Sequence, residues 1–497
     1  MNFESRTAWE GLAYGIELLT GVTSSIVQPQ RMMHTFAGMS LPPLSLGDLR
    51  AWIDRIGVFG LFVFAFFAFW GTTFAYYGLG LMGLGVLAQW RCFWKALKPG
   101  PLLALLGWTG VAVVITVSLA IMERPDESSA QIRAGSDMFR LWLFLLVAWW
   151  LRGSQHRIFL ALVLGLVGFM IGQARALDPP HLHALLSLER PNIRWGINAV
   201  AEYSAAGLLG LGLSAPRLWR WLRAERGWWV GGLGLAAFVF LLLAEVIFSQ
   251  SRGVWLSLLG VAVGLWLYAL VMWPTQRPRG ASMMLGAAIG LLIAVLIVLG
   301  LPAVSQRFAF IDQALLASQG SWDDVRSIAD FSIRERLAIL KLGIESWLEK
   351  PWFGWGLGAI PPLLQRNADK FESGANFPDF HNICVDVLVG LGAFGTVPLV
   401  LIFLLVTYAV HQAHCSGRID RDTCLVVLGL MVFNILAQLT DTRIFSLHGR
   451  FYWMLIAGAA YSCRLAQATE MNTETKISPG CAGKRLDAKD CSAHLRG

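Results

Sequence analysis

Apolar runs follow one another along almost the whole chain, and most approach the length of a membrane crossing. They lie near 57–72, 74–92, 101–122, 138–151, 156–174, 196–214, 227–247, 254–273, 281–301, 383–410, 424–440 and 450–463. A helix needs roughly 20 apolar residues to cross ~30 Å of hydrocarbon. In lipid the backbone must satisfy its own hydrogen bonds, which a helix does. The pattern therefore predicts an all-α polytopic membrane protein with about twelve transmembrane helices. Shorter runs take flanking Trp or Arg as interface anchors, and 57–92 is nearly continuous. The run 383–410 holds Gly390, Gly392, Gly395 and Pro398, so it also reads as a broken helix. With 56% hydrophobic and only 14% charged residues, a soluble fold is excluded.

The basic residues set an expected orientation. Alternate connections carry Arg91, Lys95 and Lys98, then Arg152 and Arg157, then Arg217, Arg220, Arg223 and Arg226, then Arg277 and Arg279, then Arg418 and Arg421. The positive-inside rule places these in the cytoplasm together with both termini. Charge spread along apolar runs suits orientation and gives no nucleic-acid surface, although the formal net charge is +8. Glu4 and Glu10 stand where a cleavable signal peptide would carry basic residues, so none is expected. The expected divisions are an N-terminal cytoplasmic or interfacial segment 1–56, helices one to nine over 57–301, a large, partly helical connection 302–382, helices ten to twelve over 383–463, and a disordered cytoplasmic tail 464–497. None of the seven cysteines lies within 303–380, so the connection has no internal disulfide.

That connection is the one long polar interval in the second half. A loop so long and so polar is either functional or disordered, and its Trp, Gly and His content argues for function. On the expected non-cytoplasmic side, arginine recurs where the positive-inside rule should deplete it: Arg190, Arg194, Arg252, Arg334, Arg336, Arg443 and Arg450. Guanidinium groups fork onto phosphate oxygens and tolerate partial burial. Several converging would hold a diphosphate and stabilise its charge as it leaves. The bland alternative pairs each with a carboxylate or a lipid headgroup. It is least apt for Arg252, which sits in a very tight connection with no acid beside it in sequence.

His381 ends the connection. A lone histidine at a helix end is commonly a cap, but its usual pKa near ~6.5 also suits it to take a proton. Asp386 lies five positions on, off the best helical neighbours, so it is a weak orienting partner. Asp386, Glu202 and Glu245 fall within apolar runs, where ionisable groups are costly. Pro351-Trp352-Phe353-Gly354-Trp355-Gly356-Leu357-Gly358 reads as a tight turn without nucleotide-site spacing. Asp323-Asp324 is an adjacent acidic pair that is more simply solvated than metal-binding. No metal and no cofactor is expected.

At these residues the chain resembles the O-antigen ligase and polymerase superfamily of bacterial envelope glycosyltransferases. Ser251-Arg252-Gly253 is similar to its Ser-Arg-Gly at the start of a span. Arg336-Leu337, followed by Pro351 to Gly356, resembles its Arg-Leu helix and Pro-x-x-Gly-x-Gly turn. His381-Asn382 resembles its closing His-Asn pair, and Arg194-Trp195-Gly196 an earlier Arg-x-Gly element. The resemblance spans roughly 57–464. It implies a multi-pass protein of the bacterial inner membrane with its active site facing the periplasm. The implied reaction is metal-independent transfer of a glycan from an undecaprenyl diphosphate donor to a lipid A–core sugar hydroxyl. By the residue reading, direct displacement inverts the anomeric centre, with His381 catalytic and Arg190, Arg194, Arg252, Arg336, Asn382 and Arg443 binding substrate. The same resemblance admits an O-antigen polymerase or a protein O-oligosaccharyltransferase. A small-anion transporter is the alternative from another class; it would favour repeated halves and charges near the midplane, and neither is evident.

Overall fold

A computed structural model describes residues 46–176, 196–224, 228–249, 251–272, 321–328, 331–372, 374 and 377–477. Two compact units are distinguished, Met1–Trp52 and Ile53–Gly497; the described part of the first is the start of a helix. In order the helices are α1 Leu46–Phe67, α2 Thr72–Ala88, α3 Trp90–Leu97, α4 Leu102–Glu123, α5 Ser128–Arg140, α6 Phe144–Leu151, α7 Gln155–Ala176, α8 Ile197–Ala224, α9 Trp228–Phe248, α10 Arg252–Met272, α11 Trp322–Arg326, α12 Phe331–Glu349, α13 Ile360–Arg366, α14 Ile383–Cys415, α15 Arg421–Gln438 and α16 Leu447–Ile477. No strand occurs among the described residues.

Seven helical segments among the described residues are long and apolar enough to cross a membrane, which makes this a polytopic membrane protein without confirming about twelve crossings. The run near 281–301 lies outside the described residues. The run 74–92 yields α2, of 17 residues, followed by the separate short α3. Helices α8 and α16 carry interior polar groups, including buried Glu202, Ser204 and Arg450, which lower their apolarity. Those groups have partners: Ser204 donates to Glu245, and Arg450 pairs with Asp137 at 2.9 Å. The first helix begins at Leu46, inside the segment 1–56 expected to be cytoplasmic or interfacial, and the last continues to Ile477, past Arg464 where the tail was expected to start.

Packing inside the bundle is tight. Phe64, Phe144, Trp150, Phe169, Phe433 and Phe451 are fully buried. Trp150 fits because Gly57 and Gly85 leave room beside it, and its indole N–H donates to the Met82 carbonyl at 3.0 Å. Lipid is as apolar as these side chains, so close packing and satisfied polar groups hold such helices together.

The connection ahead of α14 has its own small core of Ile339, Leu342, Leu364, Phe380 and Val389. Ala338, Ile339, Leu342 and Ser346 recur at helical spacing on α12, giving it one buried face against α14. Burying a Leu or Phe side chain away from water contributes roughly 1.5–3 kcal/mol, so this part of the chain is ordered by its own contacts. Ion pairs Lys350–Glu123 and Arg366–Glu127 fasten it to the end of α4 and the turn after it. Asp324 closes a capping box with Ser321 at the start of α11, and Asp323 is solvent-exposed, so the acidic pair takes the structural reading.

The broken-helix expectation holds. Gly392 interrupts α14 with φ 64°. The backbone groups freed there pair with the Pro351–Gly356 turn. Trp355 N–H donates to Val389 O at 2.7 Å and Gly356 N–H to Gly390 O at 3.0 Å; in return Ala393 N–H donates to Pro351 O at 2.8 Å and Phe394 N–H to Trp352 O at 3.0 Å. A Cβ on Gly392 would overlap the Trp352 carbonyl. The turn therefore acts as a clip that satisfies a helix break, and it fixes the connection relative to the bundle.

Candidate active site

The site is built on the turn between α15 and α16. Gln438, buried at the end of α15, donates to Glu202 at 3.3 Å, while its carbonyl oxygen accepts from the backbone N–H groups of Arg443 and Ile444 at 2.5 and 3.0 Å. One side chain thus folds 439–444 back on itself and leaves several carbonyls facing outward. Gly449 lets α16 start against this turn, since a Cβ there would overlap the Arg443 carbonyl.

Four other segments meet the same turn. Asn382 caps α14 through hydrogen bonds from Cys384 and Val385 N–H at 3.0 and 3.3 Å, and its amide donates to Leu439 O at 3.0 Å. Arg336, on α12, donates to Thr440 O at 3.4 Å. Arg252 opens α10 beside Gly253, which touches Thr440 so closely that a Cβ would overlap it. Gly196, two positions after Arg194, lies with its Cβ direction 3.9 Å from an Arg443 nitrogen. Arg190 and Arg194 themselves lie outside the described residues.

His381 sits immediately before Asn382 with φ 54°, a left-handed conformation uncommon for a side-chain-bearing residue. Strain of this kind costs on the order of 1–3 kcal/mol and persists only where the surroundings impose it. The surroundings are two carboxylates. His381 Nδ1 lies 2.9 Å from Asp379 Oδ1 and 3.6 Å from Asp441 Oδ1. These are ion-pair contacts; neither is aligned as a hydrogen bond, and Nδ1 has no well-formed one among the described residues. Burial alone would lower the imidazole pKa, but the two carboxylates outweigh it and raise it to about 9. Burial would likewise raise Asp441, yet His381 and Arg443 hold it below the usual carboxylate range. Arg443 binds the other Asp441 oxygen at 2.6 Å.

The carboxylates in ion-pair contact with the imidazole are Asp379 and Asp441, and Asp386 is engaged elsewhere. It is fully buried, and Oδ1 accepts the Phe380 N–H at 2.8 Å, so it steadies the backbone leading into His381. Arg334 is turned away as well, paired with Glu372 and the Ile328 carbonyl. The pair left open by sequence therefore separates, with Arg336 toward the turn and Arg334 into the connection.

Asp379, Asp441 and Gln438 were missed by sequence reasoning. Asp379 lies two positions before His381 and Asp441 two before Arg443, so each stood next to a residue already chosen. Their nearest partners are local, His381 for Asp379 and Arg443 for Asp441, but the contact that brings Asp441 to the imidazole joins segments far apart in sequence. The donor atoms of Asp379, His381 and Asp441 lie within 4.8 Å of one another, close enough to share a cation. Arg443 already supplies positive charge to Asp441, and the imidazole supplies it to both carboxylates, so the charge balance needs no ion.

Residues 236–400 match the family model described as O-Antigen ligase. The matched span holds Ser251-Arg252-Gly253, Arg336, the clip turn and His381-Asn382, and ends before Asp441 and Arg443. No curated protein matches the chain. The O-antigen ligase domain at residues 236–400 supports the O-antigen ligase and polymerase superfamily for this chain and marks it as a membrane glycosyltransferase-like enzyme.

Proposed function

We propose that this protein transfers a glycan from a polyprenyl diphosphate carrier to a sugar hydroxyl of a lipid A–core acceptor at the periplasmic face of the inner membrane. The observation that carries the reading is the meeting of His381, Asp379, Asp441 and Arg443 with Arg336, Asn382 and the Arg252-Gly253 start of α10 on one turn at one end of the bundle. Asp379 and Asp441 hold Nδ1, which leaves Nε2 for the acceptor. In its neutral form Nε2 removes the hydroxyl proton as the oxygen attacks the anomeric carbon, and the carboxylates stabilise the imidazolium that results. The carbon–oxygen bond to the diphosphate breaks in the same displacement. Its charge falls to arginines already in place, so no separate acid is required. One displacement inverts the anomeric centre and leaves no glycosyl-enzyme.

The family match supports ligase-type and polymerase-type function alike; ligase is the reading proposed, with polymerase and protein O-oligosaccharyltransferase separated from it by the acceptor. A small-anion carrier would be expected to gather its polar groups near the midplane, whereas these sit where helices begin and end. The test is reconstitution of the purified protein with a defined polyprenyl diphosphate glycan and each acceptor class in turn. Transfer to lipid A–core with inversion is expected. Transfer only to a second repeat unit or to a protein hydroxyl would reassign it, and anion flux without transfer would overturn the reading.

A further inference from the structure

An apolar groove runs along α8, among α7, α15 and α16, from Tyr203 and Tyr452 at one end to Phe159 and Leu218 at the other. From Tyr203 to Leu218 along α8 it extends about 22 Å at 1.5 Å per residue, most of the ~30 Å hydrocarbon thickness. Gly210 helps to keep it open, with nothing within 4 Å of where its Cβ would stand.

The upper end is a boundary between two chemistries. The rings of Tyr203 and Tyr452 line the groove and meet edge to face at 5.7 Å. Both residues are more than nine-tenths buried, and neither hydroxyl has a well-formed hydrogen bond among the described residues, although Ser446 stands beside that of Tyr203. Both tyrosines interact with Glu202, and Tyr203 also with Arg443. The groove therefore ends below the turn that carries the candidate site. Buried hydroxyls without partners are costly unless something supplies a polar atom.

We infer that this groove seats the polyprenyl chain of the donor, with Tyr203 and Tyr452 marking the level at which the chain ends and the diphosphate begins. The inference rests on the glycosyltransferase reading. The donor suits the groove better than the acceptor for a chemical reason. Only the diphosphate separates the polyprenyl chain from the reacting carbon, so a chain ending at the tyrosines puts that diphosphate beside Arg443. In the acceptor a whole core oligosaccharide lies between the acyl chains and the reacting hydroxyl, and nothing ties those chains to this level.

The test compares the wild type with Gly210→Phe, which fills the groove where there is space for it. Each is assayed with a full-length polyprenyl diphosphate glycan and with the same glycan on an isoprenoid of two or three units. The variant is expected to raise KM for the long donor about tenfold, the weight of roughly two buried methylenes, leaving KM for the short donor unchanged. A rise in acceptor KM alone would assign the groove to acyl chains, and no change in any KM would assign it to bilayer lipid; either overturns the inference. A second arm needs no variant: a long-chain donor with a photoreactive group on its isoprenoid should label α7, α8 or α16 of the wild type, and labelling confined elsewhere overturns the inference. Wild-type protein that transfers neither donor, yet is labelled in the groove, would sink the glycosyltransferase reading and leave the lipid seat standing.

Discussion

Asp441 Oδ1 stands 3.6 Å from Nδ1 of His381, while its other carboxylate oxygen holds Arg443 at 2.6 Å. One side chain thereby links the proposed base to an arginine proposed to face the leaving diphosphate. The two jobs of the reaction, taking a proton and receiving a charge, share a single support.

The pH dependence follows from this arrangement. With the imidazole pKa at about 9, the neutral form is roughly one part in a hundred at pH 7, so kcat/KM should climb from pH 7 and level off above about 9. Asp379→Asn removes one of the groups that raise the pKa, and the rising limb should move to lower pH. Asp441 still stands beside the imidazole, so the limb should shift without vanishing. An unmoved limb would mean that another group titrates. The same linkage acts on stability: a folded-state pKa above the usual ~6.5 stabilises fully below that value and is lost as pH rises through about 9. The melting temperature should fall across that window in the wild type and stay flatter in His381→Ala.

The arginines should separate by position. Arg252→Ala and Arg336→Ala should each lose about 2–4 kcal/mol of transition-state stabilisation, roughly 30- to 1000-fold in rate. Arg252→Lys should also be poor, because a point charge does not replace a bidentate fork. Arg334→Ala, whose side chain is engaged by Glu372 and Ile328, should keep its turnover and lose some stability. Steady-state rates on purified, folded protein check the set; near-normal turnover in Arg252→Lys would remove Arg252 from the leaving group.

How legible the site was depended on how local its determinants are. The apolar runs, the helix break and His381-Asn382 are written in short stretches and could be read directly. The Gly392 break was visible as a glycine cluster, but its partner, the Pro351–Gly356 turn, was not, because the pairing joins distant backbones. Asp379 and Asp441 look like ordinary loop carboxylates until the fold places both against one imidazole. Asp386 read as a weak partner of His381 because of its spacing, and acts instead on the backbone of Phe380. Seven of the about twelve expected crossings stand as long apolar helices among the described residues, partly because runs such as 74–92 contain a helix boundary that hydropathy alone does not mark.

The clip gives a stability prediction. Gly392→Ala puts a Cβ into a left-handed residue and against the Trp352 carbonyl, and should cost about 1–3 kcal/mol. A lower melting temperature and easier proteolysis within 351–380 would be the readout. Unchanged stability would show that the turn does not hold the helix break.

Metal dependence tests the charge balance at Asp379, His381 and Asp441. Turnover should survive EDTA, because the imidazole and Arg443 already neutralise the carboxylates. Loss of activity restored specifically by magnesium or manganese would show that these three residues share a cation.

The most direct test of the central claim is His381→Ala, with donor binding and transfer measured on the same preparation. As the base, His381 contributes about 10²–10⁴-fold. The variant should therefore bind the polyprenyl diphosphate glycan with near wild-type affinity, transfer it slower by that factor, and lose the rising pH limb. A variant that instead loses donor binding, while its residual rate keeps the wild-type pH profile, would contradict the account and make His381 a structural residue.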